Sequence, residues 1–268
     1  MDPVSLATIV EWSGGELILG DPNMMVKGVS TDSRTIAQHE LFVALHGENF
    51  DGHDFIPGVF SLGAVAVMID RDIATGDLSK DQGLIRVEDT LKGLQQLAHS
   101  YRRMLPLQVV CITGSNGKTS TKDFTAAVLR RRLLVSATRG NLNNHIGLPL
   151  TVLRSSTGDQ VGVWEIGMNH PGEIAPLAGL ALPNIGVITN IGTAHIGLMG
   201  SREAIAQEKG MLAEALVPTG TLILSAEDDY SAALSRRTKA DVVLCGIECG
   251  DVAAEDLMQD GAGTRFRI

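Results

Sequence analysis

The sequence is poor in cysteine and in aromatic residues, and it has no long apolar run. Its 268 residues include only 3 cysteines, too few for the disulfide framework of a small secreted domain. The longest apolar stretches, such as residues 64–69, have the length of a strand and fall far short of the ~20 residues that a membrane helix needs. Its first residues, Met1-Asp2-Pro3, lack the basic and apolar segments of a signal peptide. We therefore expect a reduced, cytoplasmic protein without a membrane span.

Composition and charge narrow the class further. Hydrophobic residues make up 44% and charged residues 20%, as in ordinary globular proteins, while aromatics reach only 4% beside 30 glycines. This balance suits an α/β protein with many tight turns. The net charge of −9 disfavours nucleic acid as a partner, because an acidic surface repels phosphate backbones. Any anion site must therefore be local.

The pattern of apolar residues changes near residue 88. Before it, a helix stopped by Gly14-Gly15, a second helix at 54–62 and short strands at 16–19, 24–30, 41–45, 64–69 and 84–87 predict a small α+β domain, residues 1–88. After Asp89, the N-cap of a helix, apolar strands at 109–113, 134–137, 161–166, 185–189, 222–224 and 242–244 alternate with helices. This alternation predicts a mostly parallel sheet covered on both faces in residues 89–268. The last residues, 264–268, alternate like a strand, so we expect either an edge strand or a fragment.

A glycine-rich turn lies between the strand at 109–113 and a helix predicted to run to about residue 131. Its residues are Gly114, Ser115, Asn116, Gly117, Lys118, Thr119 and Ser120. Such a turn lets backbone N–H groups and a helix N-terminus meet phosphate oxygens, with Lys118 reaching the β and γ phosphates and a following hydroxyl binding Mg²⁺. Ile112 stands where a standard Walker A motif has its first glycine, so we expect a tighter loop. The alternative is a glycine turn with a solvated lysine.

Polar residues follow two further strands at the same predicted sheet edge. Glu165 ends the strand at 161–166, where a carboxylate can hold Mg²⁺ directly or through water. His195 closes the segment at 189–195, and a neutral imidazole there could bind a divalent cation. An ordinary strand-end acid and a structural histidine remain the alternatives.

An asparagine-rich turn and a lysine complete the candidates. Asn141, Asn143 and Asn144 precede a predicted helix, and their amides would suit a polar, peptide-like substrate if they do not only stabilise the turn. The helix predicted at 201–216 carries Lys209, which by itself reads as a surface lysine.

These motifs resemble the Mur ligases, the ATP-dependent amide-bond-forming enzymes of peptidoglycan and cell wall synthesis. Residues 141–144 with 146–151, and residues 165–169 with 172–174, resemble the branch that joins D-Ala-D-Ala to a UDP-N-acetylmuramoyl tripeptide. Residues 30–34, 41–45 and 51–53 resemble the uridine-nucleotide domain of that branch. The resemblance covers essentially the whole chain and implies a UDP-substrate-binding domain at 1–88 and an ATP-binding central domain at 89–268.

The resemblance also implies a mechanism. ATP phosphorylates the carboxylate that ends the tripeptide, and the amine of D-Ala-D-Ala then displaces phosphate from the acyl phosphate. Lys118 and Mg²⁺ would balance the phosphoryl charge, with Thr119, Glu165, His195 and a carbamylated Lys209 organising the metal. The implied catalytic residues are Lys118, His195 and Lys209, and the implied substrate residues are Ser30, Asp32, Ser33, Arg34, Asn143 and Asn144.

One departure from the family is large. Mur ligases continue into a third domain, and we expect it to be absent here, with the central domain incomplete and ligation by the 268-residue chain weak or missing. Two alternatives stay open: a related ligase with another acceptor, such as a folylpolyglutamate-type enzyme, and a non-catalytic module that binds UDP-sugar peptide or nucleotide. We expect a monomer.

Overall fold

The computed structural model describes residues 1–47, 50–76, 78–261 and 263–268, which form two compact units. The first unit comprises Met1–Pro106 and His145–Gly158, and the second comprises Leu107–Asn144 and Asp159–Ile268. The helices are α1 Leu6–Ser13, α2 Ile56–Leu62, α3 Thr90–Met104, α4 Lys118–Leu129, α5 Gly147–Leu153, α6 Ile174–Ala181, α7 Ile196–Met199, α8 Arg202–Lys209, α9 Met211–Glu214 and α10 Ser231–Ser235. The strands are β1 Val4–Ser5, β2 Glu16–Leu19, β3 Met25–Val26, β4 Gly28–Ser30, β5 Glu40–Val43, β6 Ala66–Ile69, β7 Gly83–Arg86, β8 Gln108–Thr113, β9 Val135–Ala137, β10 Val161–Glu165, β11 Ile185–Ile188, β12 Thr221–Ser225, β13 Asp241–Ile247, β14 Val252–Asp260 and β15 Gly263–Arg267.

The first unit is built on a mixed sheet in the order β2-β7-β6-β5-β4. Strands β4 to β7 run parallel, and β2 joins β7 antiparallel at one edge. The single strand expected at 24–30 is divided, because β3 pairs with β1 while β4 pairs with β5. A 3-10 turn, Gly52–Phe55, precedes α2, so the helix begins slightly later than expected. The apolar core of this unit lies between α2 and the sheet, around Phe42, Val67 and Leu84.

Helix α3 packs within the first unit, whereas the sequence places a domain boundary at residue 88. Its buried side chains Leu94, Leu97 and Tyr101 lie on one face, which contacts α1 and α5. The Tyr101 hydroxyl also donates a hydrogen bond to the Ser155 carbonyl at 2.9 Å. An amphipathic helix follows the apolar surface that can cover it. Here that surface comes from α1 and from α5, which is distant in sequence. The first unit therefore extends to residue 106 and also includes residues 145–158.

The second unit confirms the expected α/β architecture. Its sheet has the order β15-β14-β13-β12-β11-β8-β10-β9, parallel from β9 to β14, with β15 antiparallel at the edge. The central strands β8 and β10 are almost entirely buried, as their continuous apolar runs predict. Glu165 pairs in register with Ile112, and Ile188 pairs with Thr113. The chain therefore leaves β8, β10 and β11 at one common edge.

The helix expected at 201–216 is broken at Gly210. The Arg237 side chain enters there, and its Nη1 donates hydrogen bonds to the carbonyls of Ala206 at 3.2 Å and Gln207 at 2.7 Å. A Cβ on Gly210 would collide with that guanidinium group, so glycine makes room for it. Within the described residues, every helix is too short or too polar to cross a bilayer.

Candidate active site

The loop between β8 and α4 takes its shape from two glycines in the left-handed region. Gly114 has φ +148°, and a Cβ there would collide with Thr189 Oγ1. Gly117 has φ +79° and forms the N-cap of α4, which has no side-chain cap. A Cβ on Gly117 would meet nothing within 4 Å, so space is open in front of the helix. Uncapped N–H groups facing open space fit a phosphate group.

Residues after β11 brace this loop from the side. Asn190 accepts the N–H of Ser115 on its carbonyl at 2.9 Å and the N–H of Asn116 on its Oδ1 at 3.1 Å. Thr189 Oγ1 donates to the Asn116 carbonyl at 2.6 Å, and Ser115 Oγ accepts the N–H of Gly192 at 2.8 Å. Two of the loop's N–H groups are therefore already bonded inside the protein. The sequence pointed to His195 in this segment and gave no sign of the bracing role of Thr189 and Asn190.

Lys118 folds back over the loop that carries it. Its Nζ donates to the Gly114 carbonyl at 2.9 Å and lies 3.5 Å from the Ser115 carbonyl. Both acceptors are neutral, and a phosphate oxygen would form a stronger, charge-assisted bond with the same ammonium group. The side chain is thus held near the helix N-terminus and can exchange its partners.

Glu165 joins three segments of the chain. Its side chain is 2% exposed; Oε2 accepts Thr119 Oγ1 at 2.9 Å, and Oε1 accepts Asn143 Nδ2 at 2.7 Å. Its backbone N–H donates to Thr138 Oγ1 at 2.9 Å, a contact that no sequence motif indicated. A buried carboxylate beside a hydroxyl offers the hard oxygen ligands that Mg²⁺ prefers, so the donor set fits that ion.

His195 and the asparagine turn line one polar cavity with Lys118. The cavity has a volume of about 280 Å³, and its wall includes Lys118, Asn143, Asn144, His195 and residues 167–169. His195 is exposed, and it forms the N-cap of α7 with a φ of +64°. The three strand-end segments expected to converge therefore do so within the second unit.

Lys209 is buried, and its interpretation as a surface lysine was wrong. Its side chain is 1% exposed, on the same face of α8 as the buried Ile205. Burial and, to a smaller extent, the nearby charge of Lys118 lower its pKa, Glu208 partly offsets them, and the net result is a pKa of about 7. Periodicity places residues 205 and 209 on one face, but only the fold shows that this face is covered.

Glu208, the neighbour of Lys209, ties α8 to the start of α6. Its two carboxylate oxygens accept the N–H groups of Gly172 and Ile174, each at 2.8 Å. An anion at a helix N-terminus stabilises the orphan N–H groups there. No sequence motif indicates this contact, because a buried acid in a polar helix leaves no pattern.

The candidate substrate residues of the first unit form a compact turn after β4. Arg34 donates to Asp32 through Nε at 2.9 Å and Nη2 at 2.7 Å, while Ser30 Oγ accepts the N–H of Asp32 at 3.1 Å. Hydrogen bonds from Arg34 lower the pKa of Asp32 to about 2. Ser33 lies in the same turn and is half-buried. The structure thus brings the four residues together, with the acid and the guanidinium paired to each other.

Sequence models of two protein domains match the chain. Residues 112–268 match the Mur ligase middle domain, and residues 25–102 match the Mur ligase family, catalytic domain. The chain therefore belongs to the Mur ligase family.

Individual relatives show which members of the family the chain resembles. The UDP-N-acetylmuramoyl-tripeptide–D-alanyl-D-alanine ligase of Bacillus subtilis (strain 168) is 43% identical over 245 residues, which are 91% of this chain and 52% of that protein. A crystal structure of MurF from Acinetobacter baumannii superposes with a TM-score of 0.88 at 31% identity, covering 98% of this chain and 60% of that one. The structure of MurF ligase from Thermotoga maritima in complex with ADP superposes with a TM-score of 0.79 at 30% identity, covering 89% of this chain and 55% of that one. The chain spans about half the length of the curated relatives it matches.

Proposed function

We propose that this chain is part of an ATP-dependent ligase that joins D-Ala-D-Ala to UDP-N-acetylmuramoyl tripeptide in peptidoglycan synthesis. The observation that carries the proposal is the position of Glu165, which bonds Thr119 of the loop and Asn143 of the asparagine turn at 2.9 and 2.7 Å. The same segments, with His195, surround one polar cavity. The two substrates are those of its relatives, which join D-Ala-D-Ala to UDP-N-acetylmuramoyl tripeptide.

ATP would bind with its terminal phosphates against the first turn of α4. The glycine bend leaves that turn open, and Lys118 lies close enough to exchange the Gly114 carbonyl for a phosphate oxygen. Thr119, Glu165 and His195 would hold Mg²⁺, which neutralises phosphate charge when bound. Because phosphoryl transfer needs positioning and charge neutralisation above all, these residues would serve the first step, transfer to the substrate carboxylate.

Lys209 is suited to carbamylation. At a pKa of about 7, half of its amine is neutral near pH 7 and can attack CO₂. The nitrogen forms a bond to carbon, one C=O π bond of CO₂ becomes the carboxylate, and the nitrogen loses a proton to water. The product is an anion, which would relieve the repulsion between Lys209 and Lys118 and could join the metal ligands.

The first unit would bind the UDP part of the substrate through the turn at Ser30, Asp32, Ser33 and Arg34. Asn143 and Asn144 would contact the peptide part or the nucleotide in the second unit. We propose the cytoplasm as the site of action, which agrees with three free cysteines and with the use of ATP. We also propose that the protein acts as a monomer.

Calorimetric titration of the 268-residue chain with Mg·ATP tests the nucleotide site. We expect Lys118→Ala to weaken binding about 10- to 100-fold, the size of one lost charged hydrogen bond. Lys92→Ala, which removes an exposed lysine of α3, should bind like the wild type. Equal affinity in all three proteins would refute the assigned phosphate site.

A phosphate-release assay tests the identity of the acceptor. The protein, in the form that its own cell makes, is supplied with ATP, the UDP-linked tripeptide and one acceptor at a time. D-Ala-D-Ala should give the fastest release. Faster release with glutamate or with a diamino acid would favour the related ligases. Nucleotide binding without any release would favour the non-catalytic module.

A further inference from the structure

Two histidines and an aspartate meet in the first unit. His46 follows β5, His53 lies in the 3-10 turn before α2, and Asp70 follows β6. One side-chain ligand atom from each lies within 4.8 Å of the other two. His53 is buried, Asp70 is mostly covered, and half of the His46 side chain is exposed. None of these three residues has a role in the function proposed above.

Two of the three separations between these ligand atoms are close to the edge length of a tetrahedral metal site. Asp70 Oδ1 lies 3.1 Å from His46 Nε2 and 3.4 Å from His53 Nε2. Zn²⁺ binds histidine nitrogen and carboxylate oxygen at roughly 2.0–2.2 Å, so two ligands of a tetrahedron lie about 3.3–3.5 Å apart. The Asp70 oxygen is therefore already separated from both imidazoles by nearly the length of a tetrahedral edge.

Hydrogen bonds fix the orientation of each ligand. His53 Nδ1 lies 2.7 Å from Asp51 Oδ1, so the ring donates there and turns its Nε2 toward Asp70. Asp70 Oδ2 is engaged by Thr90, through its hydroxyl at 3.3 Å and its N–H at 3.4 Å, which leaves Oδ1 facing the imidazoles. A carboxylate behind a metal-binding histidine is the usual second shell of such sites.

The three residues also make contacts with neighbouring groups, and a bound metal would have to displace some of these contacts. The Asp70 N–H points at His53 Nε2 from 3.4 Å, a long bond that costs little to lose. Asp51 Oδ2 lies 2.8 Å from Arg71 Nη1 and 3.4 Å from His46 Nδ1, on the side away from Asp70. The two imidazole rings stack with their centroids 5.0 Å apart.

We propose that His46, His53 and Asp70 bind a divalent transition metal of the Zn²⁺ class. Two imidazoles and one carboxylate favour such an ion over Mg²⁺, which prefers oxygen ligands alone. Three protein ligands leave a fourth position, which water fills from the exposed side of His46. The site lies within the first unit and does not depend on the nucleotide site.

Titration with Co²⁺ in the presence of excess Mg²⁺ tests the proposal, because tetrahedral Co²⁺ absorbs visible light strongly and Mg²⁺ occupies oxygen-rich sites. We expect one Co²⁺ per chain, displaced by Zn²⁺. His46→Ala should weaken binding more than 10-fold. Asp51→Asn, which keeps the three ligands and removes the carboxylate behind His53, should weaken it about 10- to 100-fold. Because His46 is half exposed, its variant should keep the circular dichroism spectrum of the wild type.

Two matched variants separate this site from others. His39→Asn removes an exposed imidazole elsewhere in the same unit, and His195→Asn removes the imidazole beside the nucleotide site. Both should bind Co²⁺ like the wild type. Absence of the visible bands, equal binding by His46→Ala, or loss of binding in His195→Asn would each overturn the proposal.

Discussion

Replacing Lys209 by methionine should stabilise the protein at neutral pH and leave it unchanged at high pH. Burial and the charge of Lys118 hold the pKa of Lys209 at about 7 instead of 10.5, a difference of about 3.5 pH units. At about 1.4 kcal/mol per unit, the folded state carries a penalty of the order of 5 kcal/mol for the charged amine. Methionine has a similar shape and carries no charge, so it removes the penalty.

The sign of the pH dependence follows from the direction of that pKa change. Between pH 7 and 10.5 the unfolded chain holds the Lys209 proton and the folded chain does not, so stability rises with pH. The penalty is complete below pH 7 and disappears as the pH approaches 10.5. The advantage of Lys209→Met should therefore shrink from several kcal/mol at pH 7 to little at pH 10.

Urea unfolding in CO₂-free buffer at several pH values measures this difference. Lys239→Met, which removes an exposed lysine of the same unit, should stay within about 0.5 kcal/mol of the wild type at each pH. The reasoning is refuted if the gap between wild type and Lys209→Met is the same at pH 7 and pH 10. Retention of a buried, costly lysine is itself typical of a functional site.

Four other substitutions, one of them with a matched control, test single contacts. Gly114→Ala places a Cβ against Thr189 Oγ1 at φ +148°, so it should lower the free energy of unfolding in urea by about 1–3 kcal/mol. The control Gly179→Ala has open space around its Cβ in α6 and should raise that free energy by up to about 1 kcal/mol. Equal effects of the two substitutions would contradict the assigned loop geometry. Thr113→Val should stabilise by about 1 kcal/mol, because no described residue bonds the buried Thr113 hydroxyl; a loss of stability would indicate a hidden partner. Glu208→Gln should destabilise by about 1–3 kcal/mol, since the N–H groups of Gly172 and Ile174 lose a charged acceptor, and an unchanged urea midpoint would count against that contact. Arg34→Ala should raise the pKa of Asp32 in an NMR titration from about 2 toward 3.8. In the wild type this carboxylate contributes stability that is complete above pH 3.8 and lost as the pH falls toward 2, and the variant should lack that contribution; an unchanged pKa would mean that the pair is not formed.

The central sheet was predictable because parallel strands leave a strong signal. The buried runs that became β8 and β10 are continuous and apolar, and each is followed by a polar turn. Parallel strands share one carboxyl edge, so the sequence could place Lys118, Glu165 and His195 near one another. The structure agrees, since Lys118 and His195 line one cavity and Glu165 bonds both the loop and the asparagine turn.

Contacts between distant segments were not predictable in the same way. The break at Gly210 depends on Arg237, and the division of the chain at residue 106 depends on apolar surface supplied by α5. The burial of Lys209 depends on what covers α8. None of these leaves a local pattern, because each is decided by a partner far away in the sequence. The resemblance to a family, and not periodicity, was what drew attention to Lys209.

A crystal structure of the chain with Mg²⁺ and a non-hydrolysable ATP analogue tests the central claim most directly. We expect the terminal phosphates on the N–H groups of the first turn of α4, with Lys118 Nζ turned from the Gly114 carbonyl to a phosphate oxygen. We also expect the metal beside Thr119 and Glu165. A nucleotide bound outside the cavity lined by Lys118 and His195, with the Lys118–Gly114 bond unchanged, would contradict it.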